Sequence, residues 1–318
     1  MKLKYYDFVG KRKIYFAISL VLISIVFLVS FVFGVELDVA FKGGSIITYN
    51  YSGTVNFDEF ENFVENTIGE KVQINKKNGI AGGSDSLDIV LASTEGLNAD
   101  KQIVLSKAIK DKYGAQLDFL SNSSVDPAIG KEFFAKGMVA IAFASIILVI
   151  YIAFRFKKIN GLSAGITAVI ALIHDVILVF GTFAIFRIPL DDNFIAVVLT
   201  ILGFSINDTI VIYDRIRENK RLHGKSLSVE KLVNNSINET MTRTLGTSGA
   251  VLGTLIIVCI VAVLMNVSSI VSFAFPMLIG TISGTYSTIF IAGPLWVMWQ
   301  NFKEKKAKQK NTAHAHAK

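Results

Sequence analysis

Residues 162–184 read LSAGITAVIALIHDVILVFGTFA, an apolar run whose only ionisable side chains are His174 and Asp175. About 20 apolar residues in a helix cross the 30 Å hydrocarbon core of a bilayer. A helix that is apolar on all sides has no face to present to water, so it belongs in a membrane or deep inside a larger core. This stretch predicts a membrane-spanning helix.

The same pattern recurs along the chain. The predicted spans are residues 14–34, 133–154, 162–184, 194–213, 244–265 and 271–299. The first span follows Lys11, Arg12 and Lys13, as in a signal peptide. Its apolar run is too long for one, and no small-residue cleavage site follows before Glu36. We interpret it as an uncleaved anchor.

The composition agrees with a membrane protein and excludes other classes. Of the 318 residues, 52% are hydrophobic and 18% are charged, and the mean hydropathy is +0.52. A typical globular chain is about 25% charged. The single cysteine, Cys259, excludes a disulfide framework and a cysteine-ligated zinc site.

The position of the basic residues explains the net charge of +7. Lys and Arg are concentrated before the first span, between the second and third, between the fourth and fifth, and after the sixth. The third–fourth loop carries only Arg187. The positive-inside rule then places both termini in the cytoplasm, so the charge predicts orientation and not nucleic-acid binding. The predicted cytoplasmic segments are residues 1–13, a basic loop or helix at 214–243, and a disordered tail at 300–318.

Residues 35–131 have the composition of a soluble domain, which we expect on the extracytoplasmic side because long segments translocate regardless of their charge. Hydrophobic periodicity predicts strands and helices in the order β-α-β-β-α-β. The predicted elements are strand 41–51, helix 57–68, strand 71–76, a turn at 79–85, strand 87–92, helix 99–113 and strand 115–120. This order is that of the ferredoxin-like fold. The predicted fold class is therefore an all-α six-helix membrane bundle with an inserted α+β domain.

Asp208 is the most informative polar residue in the spans. An acid at the bilayer centre costs about 2.5–3.5 kcal/mol on insertion scales, so it is functional by default or paired. Ser205, Asp208 and Thr209 share one helical face, beside Asn207, about 7.5 Å from the cytoplasmic end of the run. Burial favours the neutral carboxyl and a nearby cation favours the ionised one, so a proton could be bound and released there. The alternative is a protonated Asp208 in a static hydrogen bond.

Asp175 is the second acid within a span. It falls on one face with Ala164, Ala168 and Ala171, which predicts close packing against another helix. Either Asp175 joins helices through His174 or a Ser/Thr partner, or it serves as a secondary proton relay.

Arg243 opens the fifth span. Taken alone it is interpreted as a snorkelling side chain at the cytoplasmic boundary, or as the i,i+4 partner of Glu239. A third interpretation applies if spans four and five are neighbours. Arg243 would then lie at the depth of Asp208 and stabilise its ionised form.

Two pairs of small residues, Gly249/Gly253 and Gly280/Gly284, predict close-packing faces. The sequence contains no phosphate-binding loop and no nucleophile elbow. Ser205 and His174 have no oxyanion context, so they do not form a protease dyad. The sequence therefore predicts neither ATP hydrolysis nor any other enzymatic activity, and no metal site.

Several motifs resemble the bacterial SecF family of protein-export membrane subunits. They are FKGGS at 41–45, IGKE at 129–132, ALIHD at 171–175, GFSINDTIVIYDRIREN at 203–219, NETMTRT at 238–244 and GTYSTIF at 284–290. The motif at 203–219 is the most specific. The element around Phe41, Gly43 and Gly44 is shared with the SecD partner subunit and discriminates less.

The resemblance implies half of a resistance–nodulation–division (RND) transporter core that pairs with a SecD-like subunit in the bacterial cytoplasmic membrane. The family uses proton-motive force to help a SecYEG-type translocon move unfolded preproteins, with H⁺ as the expected coupling ion and no cofactor. Its functional acid and arginine fall on Asp208 and Arg243. The alternatives are a non-transporting assembly factor and a small-molecule RND efflux subunit. Efflux pumps carry twelve spans in one chain, which argues against the second.

Overall fold

The computed structural model describes residues 5–38, 41, 43–53, 55–77, 85–91, 99–114, 116–125, 127–224, 226–265 and 267–316. Within these residues, six helices are long and apolar enough to cross a membrane. This number agrees with the six predicted spans. Lys42 of the glycine motif and residues 79–84 of the predicted turn lie outside the described residues.

The described elements alternate between membrane helices and one inserted sheet domain. In chain order they are α1 (Arg12–Phe33), β1 (Gly44–Tyr51), α2 (Phe57–Ile68), β2 (Val72–Lys77), β3 (Asp85–Leu91), α3 (Ala99–Tyr113), β4 (Leu117–Val125), α4 (Pro127–Arg155), a 3₁₀ turn (Lys157–Ile159), α5 (Gly161–Phe186), α6 (Asp192–His223), α7 (Val229–Leu264), α8 (Ser268–Ser287), a π-helical turn (Thr288–Ala292) and α9 (Gly293–His316).

Helices α6 and α7 extend well beyond the apolar runs that they contain. The predicted basic segment 214–243 therefore consists mainly of the end of α6 and the start of α7. Gly224 ends α6 with a φ of 55°, a conformation that glycine adopts without strain. Ser228 then caps α7 by accepting a hydrogen bond from the backbone N–H of Lys231.

The prediction of a disordered tail from residue 300 is wrong over most of its length, because α9 continues to His316. Lys, Glu, Gln and Ala dominate this segment and are strong helix formers. A segment that extends an existing helix also avoids the cost of forming the first helical turn, which is the unfavourable step in helix formation. Gln300 anchors its start: it donates to Ser163 Oγ at 2.8 Å and accepts from Asn160 Nδ2 at 2.7 Å.

The inserted domain is a four-stranded sheet in the order β2-β3-β1-β4, with every neighbouring pair antiparallel. Its elements follow the predicted order. β1 begins at Gly44 and not at residue 41, because Gly43 has a φ of 82° and turns the chain before the strand. β4 runs on to Val125 through polar residues that pair with β1 through the backbone ladder, which side-chain polarity does not prevent in an edge strand.

The core of the domain forms between the sheet and its two helices. The largest fully buried side chains there include Phe60, Ile47, Leu87, Ile89 and Leu105. This cluster is separate from the core of the membrane bundle.

The segment between α1 and β1 joins the domain to the bundle. Asp38 N–H donates to the carbonyl of Leu190 at 3.0 Å, and Leu190 N–H donates to the carbonyl of Glu36 at 2.9 Å. Phe41 is buried against Phe133 and Phe134 of α4, with ring centroids 6.0 and 5.2 Å apart. Phe41 of the glycine motif is thus a packing residue at the base of the domain.

Candidate functional site in the membrane bundle

Asp175 joins three membrane helices through hydrogen bonds. Its carboxylate lies on α5, is 0% exposed, and accepts from Ser205 Oγ of α6 at 2.8 Å. Ser283 and Ser287, one turn apart on α8, donate to it at 2.6 and 2.7 Å. Buried carboxylates need such donors because an unpaired one carries a large desolvation cost. The acid is therefore fully engaged within the bundle.

His174 extends this cluster toward the start of α1. Its Nδ1 lies 3.2 Å from Asp175 Oδ1, while its buried Nε2 has no hydrogen-bond partner among the described residues. The imidazole stacks on Tyr286 with centroids 6.0 Å apart. Tyr286 in turn donates to the backbone carbonyl of Tyr15 in α1 at 2.8 Å.

Asp208 has fewer hydrogen-bond partners than Asp175 among the described residues. It is 9% exposed, and its carboxylate accepts from Ser248 Oγ of α7 at 3.1 Å. It lines a cavity of about 70 Å³ between α6, α7 and α8. Asn207, Thr247 and Ser248 provide further polar lining. A cavity of about 10–15 Å³ is already large enough to hold one water molecule. The cavity can therefore bring water to the Asp208 carboxylate.

Ser205 links the two acids. Its hydroxyl donates to Asp175, and the residue also lines the cavity of Asp208 one turn further along α6. Its backbone carbonyl accepts from Thr209 Oγ1 at 3.1 Å and from Thr288 Oγ1 at 3.2 Å. These two hydroxyls lie 3.0 Å from each other. Polar groups are therefore continuous from the Asp175 cluster to the cavity.

Arg243 lies on α7 with an exposed side chain, and it forms no ion pair within the described part of the chain. Among the described residues, the alternative pair of Arg243 with Glu239 does not form. Glu239 Oε2 instead accepts from Arg215 Nε at 2.6 Å and from Asn219 Nδ2 at 2.7 Å, because α6 packs on that face of α7.

The two glycine pairs differ in their surroundings. A Cβ at Gly284 would lie 3.1 Å from Ser205 Cβ, and one at Gly280 would lie 2.7 Å from Ile201 Cγ1. A Cβ at Gly280 would also lie 2.8 Å from Val179 Cγ2 of α5, so these glycines let α8 pack closely on both α5 and α6, and its serines bond to Asp175 of α5. A Cβ at Gly249 or Gly253 would meet no atom of the described part of the chain within 4 Å. Their side of α7 is therefore open.

The π-helical turn follows Ser287 directly. Thr288, its first residue, bonds to the Ser205 carbonyl, and such turns are frequent at functional sites. Sequence reasoning missed Ser248, Ser283 and Ser287 as partners of the acids. The available signal was the i,i+4 spacing of Ser283 and Ser287 in an apolar run. The described residues contain no group of three or more His, Cys, Asp or Glu that could hold a metal ion.

Comparison with known proteins identifies the family. Residues 105–302 match the family model described as "Protein export membrane protein SecD/SecF, C-terminal". The chain belongs to the SecD/SecF family. It is a multi-pass membrane protein of a family that acts in protein transport and translocation.

Related sequences cover almost the whole chain. The protein translocase subunit SecF of Petrotoga mobilis is 35% identical over 296 residues, which are 91% of this chain and 94% of the relative. The corresponding subunit of Thermobaculum terrenum is 33% identical over 93% of this chain and 94% of the relative. The protein translocase subunit SecDF of Bacillus subtilis is 32% identical over 95% of this chain but only 39% of its own length.

A solved structure shows the same relationship. The crystal structure of SecDF from Thermus, described as a translocon-associated membrane protein, superposes with a TM-score of 0.77 at 28% identity. The match covers 94% of this chain and 39% of that chain. This chain is thus similar to about two fifths of a longer SecDF chain, including its six apolar helices and small antiparallel sheet.

Proposed function

We propose that this chain is an accessory subunit of the bacterial Sec export machinery that, with a SecD-like partner, uses the proton-motive force to assist preprotein translocation. The observation that carries the proposal is Asp208, a buried carboxylate that faces a polar cavity with one hydroxyl partner. The chain then lies in the cytoplasmic membrane with both termini in the cytoplasm. It acts by ion-driven movement and not as an enzyme.

The contrast between the two acids supports this role for Asp208. Three serine hydroxyls and the ring nitrogen of His174 contact the Asp175 carboxylate, whereas Asp208 accepts from Ser248 alone among the described residues. A carboxylate with spare acceptor positions beside water can bind and release a proton. The exposed guanidinium of Arg243 is free to approach the ionised form and to leave the neutral one. Proton binding at Asp208 would thereby become a movement of α7 relative to α6.

We assign the open side of α6 and α7 to the SecD-like partner. A Cβ at Gly203, Gly246 or Gly249 would meet no atom within 4 Å among the residues that the structure describes. Thr247 and Ser248, which line the cavity, lie between the last two glycines. Small residues permit close helix packing in a membrane. Relatives in which the match occupies 39% of a SecDF chain support such a pairing. The cavity would then be closed by the partner, as half of an RND-type core requires.

The inserted domain is assigned to the ferredoxin-like class and to contact with unfolded preprotein outside the membrane. Its elements follow one another as β-α-β-β-α-β. In the sheet, β3 lies between β1 and β2, the two strands of the first βαβ unit, as in the ferredoxin-like fold. The chain would carry its movement to this domain through α1 and α4, which flank it. The SecYEG-type translocon is the expected neighbour in the membrane.

The test compares Asp208→Asn with Asp214→Asn in a protein-export assay with and without a proton gradient. Asp214 lies on the same helix but is partly exposed and pairs with Arg155 and Arg217. We expect Asp208→Asn to remove gradient-stimulated export while the protein still inserts and folds. Asp214→Asn should retain the stimulation. Unchanged stimulation in Asp208→Asn would reject the relay.

A non-transporting assembly factor is the second candidate, and the static bonding of Asp175 favours it. Under that function, Asp208→Asn would leave gradient-stimulated export intact while loss of Asp175 would reduce assembly with the partner. Arg243→Lys separates the two further, because it keeps the charge but loses the planar guanidinium.

A further inference from the structure

The amino-terminal segment Tyr5–Gly10, here called the strap, is bound by side chains of α7. Asn234 Oδ1 accepts from the backbone N–H groups of Phe8 and Val9, both at 3.0 Å. Asn234 Nδ2 donates to Asp7 Oδ1 at 2.7 Å. The same Asp7 oxygen accepts from Gly10 N–H at 2.8 Å, which closes a turn in the strap. One asparagine thus bonds to three consecutive residues of the strap.

A second asparagine repeats this arrangement one turn later on α7. Asn238 Oδ1 accepts from Tyr6 N–H at 2.9 Å, and Asn238 Nδ2 donates to the Tyr6 carbonyl at 2.8 Å. An amide that bonds both backbone groups of one residue acts as a neighbouring strand would. Asn235, between them in the sequence, accepts a hydrogen bond from the exposed Tyr5 hydroxyl at 3.2 Å.

The strap also packs into the bundle. Phe8 and Val9 are 3% and 1% exposed. The Phe8 ring lies 5.6 Å from that of Phe290 in the π-helical turn, and Phe290 lies 5.0 Å from Tyr286. Tyr286 is the residue that stacks on His174. Aromatic contacts therefore run without a gap from the strap to the Asp175 cluster.

We propose that the strap is a positioning element, in which Asp7 and Asn234 hold the cytoplasmic half of α7 in place against the π-helical turn. Asn234 precedes Arg243 by nine residues on the same helix, about 13.5 Å along its axis. Because the helix is continuous, a strap that fixes its start also fixes the position from which Arg243 reaches toward Asp208. Only this last step rests on the proposed function.

The test exchanges the two partners. Asn234→Asp keeps the acceptor for Phe8 and Val9 but sets a carboxylate against Asp7. Adding Asp7→Asn restores a donor and an acceptor in reversed order, since an asparagine at position 7 can still accept from Gly10. A Val9→Cys reporter, in a Cys259→Ser background, measures release of the strap by its rate of reaction with a maleimide in the purified full chain.

We expect Asn234→Asp to raise the labelling rate at least about tenfold, the effect of losing one charge-assisted hydrogen bond and gaining a like-charge contact. The double variant should return within about twofold of the parent, and Asn235→Ala should match the parent. Equal labelling in Asn234→Asp and the parent would overturn docking. Failure of Asp7→Asn to restore slow labelling would do the same, since general destabilisation of α7 is not repaired from position 7.

The positioning role has its own readout. Gradient-stimulated export should fall in Asn234→Asp and recover in the double variant. Stimulation that stays unchanged while the reporter becomes reactive would overturn the positioning role. If Asp208→Asn also leaves export unchanged, the proposed function fails, and the labelling arm still decides whether the strap docks.

Discussion

At the scale of single residues, the two intramembrane acids have opposite surroundings. Asp175 is fully buried and holds α5, α6 and α8 together through three serine hydroxyls. Asp208 accepts from one serine and faces a cavity. A carboxylate whose acceptor positions are occupied stabilises one arrangement of helices, whereas one beside a cavity can change its protonation without breaking the bundle. Asp175 therefore suits a structural role, and Asp208 suits an exchange of protons.

This contrast predicts different costs of the same substitution. Asp175→Asn replaces one acceptor oxygen by an NH₂ group that cannot accept from the serines, so we expect a loss of about 1–3 kcal/mol in unfolding free energy. Thermal unfolding of the purified protein in detergent measures it. Asp208→Asn should cost less, and Asp118→Asn, at an exposed position of β4, should cost nothing measurable. Equal midpoints for Asp175→Asn and Asp118→Asn would contradict the prediction.

At the scale of secondary-structure elements, two glycines and two serines on adjoining faces of α8 determine where this helix packs. Gly280 and Gly284 admit α6 at close range, and Ser283 and Ser287 then reach Asp175. The π-helical turn begins immediately afterwards and directs Thr288 to the Ser205 carbonyl. Close approach and polar bonding thus depend on each other, because the hydroxyls are too short to bridge a wider gap.

Gly284→Ala and Gly249→Ala form a matched pair that tests this account. Alanine is favoured over glycine within a helix by about 1 kcal/mol, so Gly249→Ala should unfold at the parent temperature or above it. At Gly284 the added Cβ meets Ser205 at 3.1 Å, and overpacking of this kind costs about 1–3 kcal/mol. We expect a lower unfolding midpoint for Gly284→Ala. A rise in both variants would show that α8 can move away freely.

At the scale of the whole molecule, the bundle is closed on one side and open on the other. A Cβ at Gly280 or Gly284 of α8 would meet side chains of α6, whereas one at Gly203, Gly246 or Gly249 would meet no atom of the described residues within 4 Å. The exposed side includes Asn207, Thr247 and Arg243, which are polar for a surface at this depth. A polar, small-residue surface is costly against lipid and suits a second set of helices.

Gly249→Leu should therefore weaken the complex without harming the isolated chain. A Cβ added at Gly249 meets no atom of the described residues within 4 Å, so the leucine would project outward and keep a partner helix at a distance. Co-purification with the SecD-like subunit should fall severalfold, while the unfolding midpoint of the isolated chain stays unchanged. Ser24→Leu places the same side chain at an exposed position of α1 and should retain the partner. Full retention in Gly249→Leu would place the interface elsewhere.

Much of this organisation was predictable because it depends on local composition. A long apolar run has one stable environment wherever it occurs, so the six spans and the soluble composition of residues 35–131 follow from the sequence. The helices Phe57–Ile68 and Ala99–Tyr113 were also predicted at their observed bounds, since periodicity and end signals lie within the segments. The helical tail was missed because a short segment of biased composition was interpreted as disordered although its helix propensity is high. Asp208 could be identified as a candidate functional residue from the sequence because the span around it contains few charged residues.

Contacts between distant segments were decided by the tertiary structure alone. Ser205 and Ser287 lie 30 and 112 residues from Asp175, and Asn234 lies 227 residues from Asp7. Gly249/Gly253 and Gly280/Gly284 share one spacing, yet one pair is open and the other is closely packed. Helical periodicity predicts which residues share a face of a helix. It does not predict which other helix will pack on that face. That choice depends on the packing of all the helices together.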